Sequence, residues 1–199
     1  MHISIEKAKQ CDGFMLDNEL IWLASAAAYH TLIIEVGSWH GRSTRALADN
    51  TPGQVYAVDH FNGSAAEQDT HGSAGLMKGD HAFITFCRNN IDHLQHGAVI
   101  PFRGDSQNMA ALFHDCGIKA DMIFIDAGHT TEEVINDIMT WKKLLTEDGL
   151  FCGHDYGRFG VTQAVDSMTF RKQIVSGTAL WFCGKKDIRD LPEAVKPKS

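Results

Sequence analysis

Apolar runs alternate with amphipathic segments along most of the chain. The runs "TLIIEV" (31–36), "QVYAVD" (54–59), "AVIPFRG" (98–104), "DMIFID" (121–126) and "GLFCGHD" (149–155) are apolar without strict alternation, as strands covered on both faces should be. Between them the spacing predicts helices over 43–50, 83–96, 107–115 and 131–145. In the last of these, Val134, Ile138, Trp141 and Leu145 share one face, and Thr130 and Glu133 have capping-box spacing at its start. After the fifth run, "VTQAVDSMTFRK" reads as a helix and "QIVSGTALWFCGK" as two strands joined at Ser176-Gly177, a hairpin signal. The alternation predicts an α/β fold, a doubly wound parallel sheet with helices on both faces. An antiparallel pair finishes one edge.

Residues 61–80, "FNGSAAEQDTHGSAGLMKGD", break this rhythm. A loop of that length inside a compact domain reads as a functional lid or as a disordered stretch. The 199 residues fit one domain over 1–199, with a helical cap over about 1–30 and the lid at about 61–80. No repeat or second domain is visible.

Composition narrows the partners. A net charge of −7 argues against nucleic acid, which calls for a clustered basic face. No apolar run approaches the roughly 20 residues that cross a bilayer, so no membrane partner is expected. The N-terminus "MHISIEKAKQ" is mixed and charged, unlike a signal peptide. Five cysteines without C-x-x-C spacing read as reduced thiols. Together these features predict a cytoplasmic protein.

In an open α/β sheet, ligands bind beyond the carboxyl ends of the strands, so the residues ending each run become candidates. The first run ends in Glu35 and leads into Gly37, Ser38 and Gly41. Two glycines let the backbone approach a ligand, or make a tight turn for helix packing. The stretch lacks the G-x-G-x-x-G of a dinucleotide site, because Trp39 and His40 occupy its middle. Asp59 ends the second run, placed to accept hydrogen bonds from ribose hydroxyls or to cap a turn. Asp105 and Ser106 follow the third and either contact an adenine edge or cap the next helix. Asp126 and His129 follow the fourth, and His154 and Asp155 end the fifth. On neighbouring strands these groups converge, as a divalent-metal site or an acid/base cluster.

With these residues in place, the sequence resembles the class I S-adenosylmethionine-dependent methyltransferases. "IIEVGSWHGRST" resembles their glycine-rich motif, "VYAVD" the next, and "RGDS" the segment flanking the adenine. "FIDAGHTTEEVINDIMTWKKLLTEDGLFCGHDY" is similar to the small O-methyltransferase branch known as methyltransferase domain family 24. The resemblance covers about residues 13–185 and implies a Rossmann-like, seven-stranded sheet. It implies that Gly37, Ser38 and Gly41 hold the methionine part of S-adenosylmethionine, with Glu35 orienting the turn. Asp59 would take the ribose hydroxyls, His60 would lie beside the adenine, and Asp105 and Ser106 would frame it.

The carboxylates by which metal-dependent relatives hold Mg²⁺ correspond to Asp126, His154 and Asp155. Histidine at such a position favours Mn²⁺, Fe²⁺ or Zn²⁺ over Mg²⁺; without metal, His129 or His154 serves as base. The implied activity is O-methylation of a small hydroxyl-bearing molecule, with Asp126, His129 and His154 catalytic and Asp126 also beside the cofactor. The resemblance also admits a homodimer. Two rivals are a non-catalytic S-adenosylmethionine-binding module and an NAD-type oxidoreductase. The missing dinucleotide motif and the terminal strand pair disfavour the second.

Overall fold

The computed structural model describes residues 2–63, 79–169 and 171–189. After a short 3-10 turn at Ala8–Gln10 come α1 (Asp17–Ala27), β1 (Leu32–Val36), α2 (Arg42–Ala48) and β2 (Gln54–Asp59). Next are α3 (Gly79–Asn89), α4 (Ile91–Gln95), β3 (Val99–Arg103), α5 (Ser106–Asp115) and β4 (Ala120–Ile125). The chain continues through α6 (Thr131–Trp141), β5 (Leu145–Gly153), α7 (Phe159–Met168), β6 (Gln173–Ile174) and β7 (Trp181–Gly184).

The strands form one sheet in the order β3-β2-β1-β4-β5-β7-β6. β1 to β5 are mutually parallel, whereas β7 is antiparallel to both β5 and β6. Strand order therefore reverses between β1 and β4, where a doubly wound sheet opens its crevice.

The lack of alternation in the strands has a direct cause. Successive side chains point to opposite faces, and each face has its own helical layer. Ile33, Val55, Met122 and Phe124 pack with Leu20, Leu23, Leu47 and Phe86 of α1, α2 and α3. Ile34, Val58, Ile123 and Ile125 pack with Phe113, Ile138, Trp141 and Val165 of α5, α6 and α7. Both sets of strand residues are fully or almost fully buried.

Several boundaries depart from the sequence reading. The helix expected over 83–96 is two, broken at Asn90, which is fully buried. Its side-chain amide donates to Gly41 O (3.3 Å) and Phe86 O (3.1 Å), tying α3 to the start of α2. The helix expected to reach 145 stops at Trp141, because Leu145 pairs with Ala120 and opens β5 early. The terminal pair is antiparallel as expected, but its connection runs from Val175 to Leu180. Val175 N–H closes that turn on Leu180 O (3.0 Å). The capping box at α6 is present: Thr130 Oγ1 accepts from Glu133 N–H, and the Glu133 carboxylate accepts from Thr130 N–H. Of the expected lid, residues 64–78 lie outside the described residues, and Gly79 already belongs to α3.

Gly41 shows what the packing demands of the first turn. Its φ is +80°, and a Cβ there would fall 2.2 Å from Asn90 Nδ2 and 2.9 Å from the Phe86 ring. Gly41→Ala is expected to cost about 2–4 kcal/mol, combining the left-handed backbone with overpacking. Urea denaturation would show it, and an unchanged midpoint would count against this packing account.

Candidate active site

Four backbone hydrogen bonds carry the strand ladders past the strand ends. Gly37 N–H donates to Val58 O (2.9 Å), Gly104 N–H to Asp59 O (3.0 Å), Asp126 N–H to Val36 O (2.8 Å) and His154 N–H to Ile125 O (3.1 Å). Each rung fixes the height of the residue that follows a strand. Above them opens a cleft of about 790 Å³. Gly37, Ser38, Asp59, His60, Asp105, Ser106, Asp126, His129, His154 and Asp155 all line it.

Glu35 and Gly41 do not line it. Glu35 is fully buried beneath the turn and accepts a hydrogen bond from Thr44 Oγ1 of α2. Burial pushes its pKa up to about 7 against the hydroxyls around it. Gly37 is the glycine that faces the cleft. Its φ is +92°, and a Cβ would lie 2.0 Å from Asp126 O, so the turn rests backbone to backbone on the end of β4.

Asp59 braces this turn. Its Oδ2 accepts from Trp39 N–H (2.7 Å) and its Oδ1 from Phe61 N–H (2.5 Å). Each oxygen keeps a lone pair for a further donor. His60 is half-exposed, its Nδ1 accepting from Asn62 N–H (2.9 Å). Among the described residues, three non-glycine residues have positive φ: Trp39 (41°), Phe61 (60°) and Asp155 (60°). All three lie just past strand ends, where such strain collects at functional sites.

At the far end of the cleft Asp105 caps α5, accepting from Gln107 and Asn108 N–H (3.0 and 3.3 Å). The Ser106 hydroxyl donates to Asp137 Oδ1 (2.6 Å) and accepts from Trp141 Nε1 (2.8 Å), while Gln107 Nε2 also donates to Asp137 (2.9 Å). Burial pushes the Asp137 pKa up to about 6, opposed by these hydrogen bonds. The sequence reading missed Asp137. Its signal was a carboxylate on the apolar face of α6, between Val134 and Trp141.

The converging cluster sits where β4 and β5 end. His154 Nδ1 is 3.7 Å from Asp126 Oδ1 and 3.4 Å from Asp155 Oδ1. His129 Nε2 meets Asp155 Oδ2 at 2.7 Å, and Arg158 Nε meets Asp155 Oδ1 at 2.8 Å. Burial works against a charged His154, but the Asp155 hydrogen bond and the charges of Asp126, Asp155 and Glu19 raise its pKa to about 9. His129 is raised by its Asp155 hydrogen bond against its burial. Asp155 is buried, which opposes ionisation, yet the two imidazoles hold its carboxyl well below the usual range. Glu19 and Arg158 escaped the sequence reading because neither lies at a strand end.

Phe14 is 62% exposed and stacks on Trp39 at 5.4 Å in the cleft wall. Trp22 instead packs on Phe182 (5.2 Å). The five cysteines are all free. Among the described residues, no helix is long and apolar enough to cross a membrane.

A family described as a methyltransferase domain matches residues 34–156, from within β1 to just past β5. The chain belongs to that family. The match spans every strand end that contributes to the cleft. The fold of this methyltransferase recurs in solved structures of low sequence identity. The O-methyltransferase TomG from Streptomyces achromogenes, solved with S-adenosylmethionine, has a TM-score of 0.61 at 14% identity, covering 92% of this chain and 88% of that one. Cofactor-bound Rv0187 from MTB gives 0.69 at 12%, over 92% and 88% of the two chains. The methyltransferase PaMTH1 from Podospora anserina, solved with S-adenosylhomocysteine, gives 0.63 at 12%, over 89% and 83%. No curated protein sequence matches the chain. The fold is that of class I S-adenosylmethionine-dependent methyltransferases, with the expected antiparallel pair at its edge.

Glu35 generates a stability prediction. A carboxyl whose folded pKa is raised from 4.5 to about 7 binds its proton more tightly in the folded state. The penalty is absent below pH 4.5, grows as pH rises to 7 and then stays constant, at about 3 kcal/mol. Glu35→Gln should therefore flatten the pH dependence of stability between about 4.5 and 7. Urea midpoints at pH 5 and pH 8 test this; equal pH slopes in both proteins would show that Glu35 does not titrate there.

Proposed function

We propose that this methyltransferase moves the methyl group of S-adenosylmethionine onto a hydroxyl of a small molecule, on residues Asp126, His129 and His154. The observation that carries the reading is one cleft joining two unlike ends. One end offers a glycine turn and a braced carboxylate, and the other a carboxylate–imidazole cluster.

The backbone of Gly37, Ser38 and Trp39 would hold the methionine portion, with Glu35 supporting the turn from below and Gly41 letting α2 close against α3. The remaining lone pairs of Asp59 suit two ribose hydroxyls, and His60, Asp105 and Gln107 would frame the adenine. Because the Ser106 side chain is committed to Asp137 and Trp141, Ser106 would contribute its backbone N–H. Asp126, under the turn, would face both the sulfonium and the acceptor.

Methyl transfer from a sulfonium is an in-line displacement, so alignment and removal of the acceptor's proton are the main tasks. Asp126 would accept a hydrogen bond from the hydroxyl, and neutral His154 would take its proton. His129 would hold Asp155 in place beside it. Asp126, His154 and Asp155 each offer a ligand atom, all within 4.8 Å of one another. This mixed nitrogen and oxygen set fits a divalent ion such as Mn²⁺, and Mg²⁺ less well. Bound there, such an ion would lower the pKa of the hydroxyl.

Isothermal titration tests the reading first, with S-adenosylmethionine against NAD as control. Binding of the first alone is expected, and binding of NAD instead would sink it. Asp126→Ala should abolish S-adenosylhomocysteine release across a panel of small phenols and sugars. It should leave cofactor affinity within about tenfold, some 1.4 kcal/mol; undiminished release would remove Asp126 from the chemistry. Since His154 is protonated below pH 9 or so, metal-free turnover should climb as pH rises towards that value. A rate that falls over the same range would exclude His154 as base.

A further inference from the structure

Glu19 is the member of the cluster that comes from the N-terminal helix α1. It stands at the third position of α1, where its Oε2 accepts from Leu16 N–H (2.8 Å). Leu16 has no side-chain oxygen to complete a capping box, so this is half of that motif. The other carboxylate of the same kind, Glu133 at the start of α6, does its capping exposed to solvent. Glu19 has only 3% of its side chain exposed. Burying a carboxylate is costly unless partners compensate, and capping alone does not require it.

The compensation comes from two further segments. Glu19 Oε1 accepts from Ala179 N–H (2.9 Å), in the turn between β6 and β7. The same oxygen lies 3.1 Å from His154 Nε2, a charge contact off the hydrogen-bonding line. On its other side the ring faces Asp126 and Asp155 through Nδ1. One carboxylate thus joins the N-terminal segment, the final turn and the imidazole. A second tie between the first two, from Asn18 Nδ2 to Gly177 O (2.9 Å), is exposed and does not reach His154.

We infer that Glu19 is a positioning residue, which fixes the His154 ring so that Nδ1 points at Asp126 and Asp155 and which couples that orientation to docking of residues 14–19 over the cleft. This rests on the reading of His154 as part of the reacting end. The carboxylate acts as an orienting group does for an imidazole elsewhere in catalysis: it holds one ring nitrogen so that the other is presented in one direction.

The test reads the ring itself and needs no acceptor. Protein labelled with ¹⁵N-histidine is observed in long-range ¹H–¹⁵N spectra, with His154 assigned from H154Q. Glu19→Gln should move the His154 ring nitrogens by more than their linewidth. Asn18→Ala, which loosens the same two segments without touching the ring, should leave them in place. Unmoved His154 signals in Glu19→Gln would overturn the inference, as would equal movement in both variants, which would mark a purely structural tie. If Glu19→Gln fails to fold, the reverse measurement decides. H154Q should shift the backbone amides of Leu16 and Ala179, which report on Glu19, and unshifted amides would refute the coupling. S-adenosylmethionine titration of the wild type runs alongside. Its failure would remove the methyl-transfer reading while the ring measurement still judged Glu19.

Discussion

The site depends on the parallel ladder running slightly beyond the strands that make it. Asp126 hangs from Val36, and His154 hangs from Ile125, each by one inter-strand hydrogen bond. Adjacent parallel strands sit about 4.8 Å apart, and that spacing brings two side chains from different strands into one cluster. Gly37 completes the arrangement, since only a residue without a Cβ can rest on Asp126 O as closely as it does. Strand order reverses at this place, so the adjoining helices diverge and leave the cleft.

The cluster is also balanced in charge. Glu19, Asp126 and Asp155 face His129, His154 and Arg158 at distances from 2.7 to 3.7 Å. Neighbouring carboxylates would repel one another without the imidazoles, and the imidazoles would lose their protons to burial without the carboxylates. The result is a set of groups whose protonation states depend on one another. Such a site can exchange a proton with a hydroxyl, or give up a proton when a cation binds. In the proposed reaction, cofactor chemistry and acceptor chemistry would share Asp126 as their common border.

Much of this was legible in the chain. The unalternating runs of β1 to β5 announced strands buried on both faces, and the polar residues ending them announced the cleft. Of the residues singled out at strand ends, Gly37, Asp59, Asp126, His154 and Asp155 all line it. Less legible were positions whose role depends on contacts remote in sequence. Gly41, read as either a ligand-facing glycine or a turn for helix packing, packs against Phe86 of α3 and against Asn90, which follows that helix. Asn90 breaks a helix whose apolar pattern continues through it, because its amide is needed at Gly41 O. Phe14 is apolar by residue type yet lies in the cleft wall, stacked on Trp39.

By itself, the sequence determined the order of elements, the covered parallel sheet and the list of strand-end groups. Those follow from local periodicity and from the direction of each strand, which a chain carries in its own pattern. The tertiary structure alone decided which groups meet. Glu19 reaches His154 across 135 positions and Ala179 across 160, and Asp137 reaches Ser106 from another helix. A buried carboxylate is tolerated only where partners converge on it, and convergence is a property of packing between segments, which no single stretch of sequence encodes.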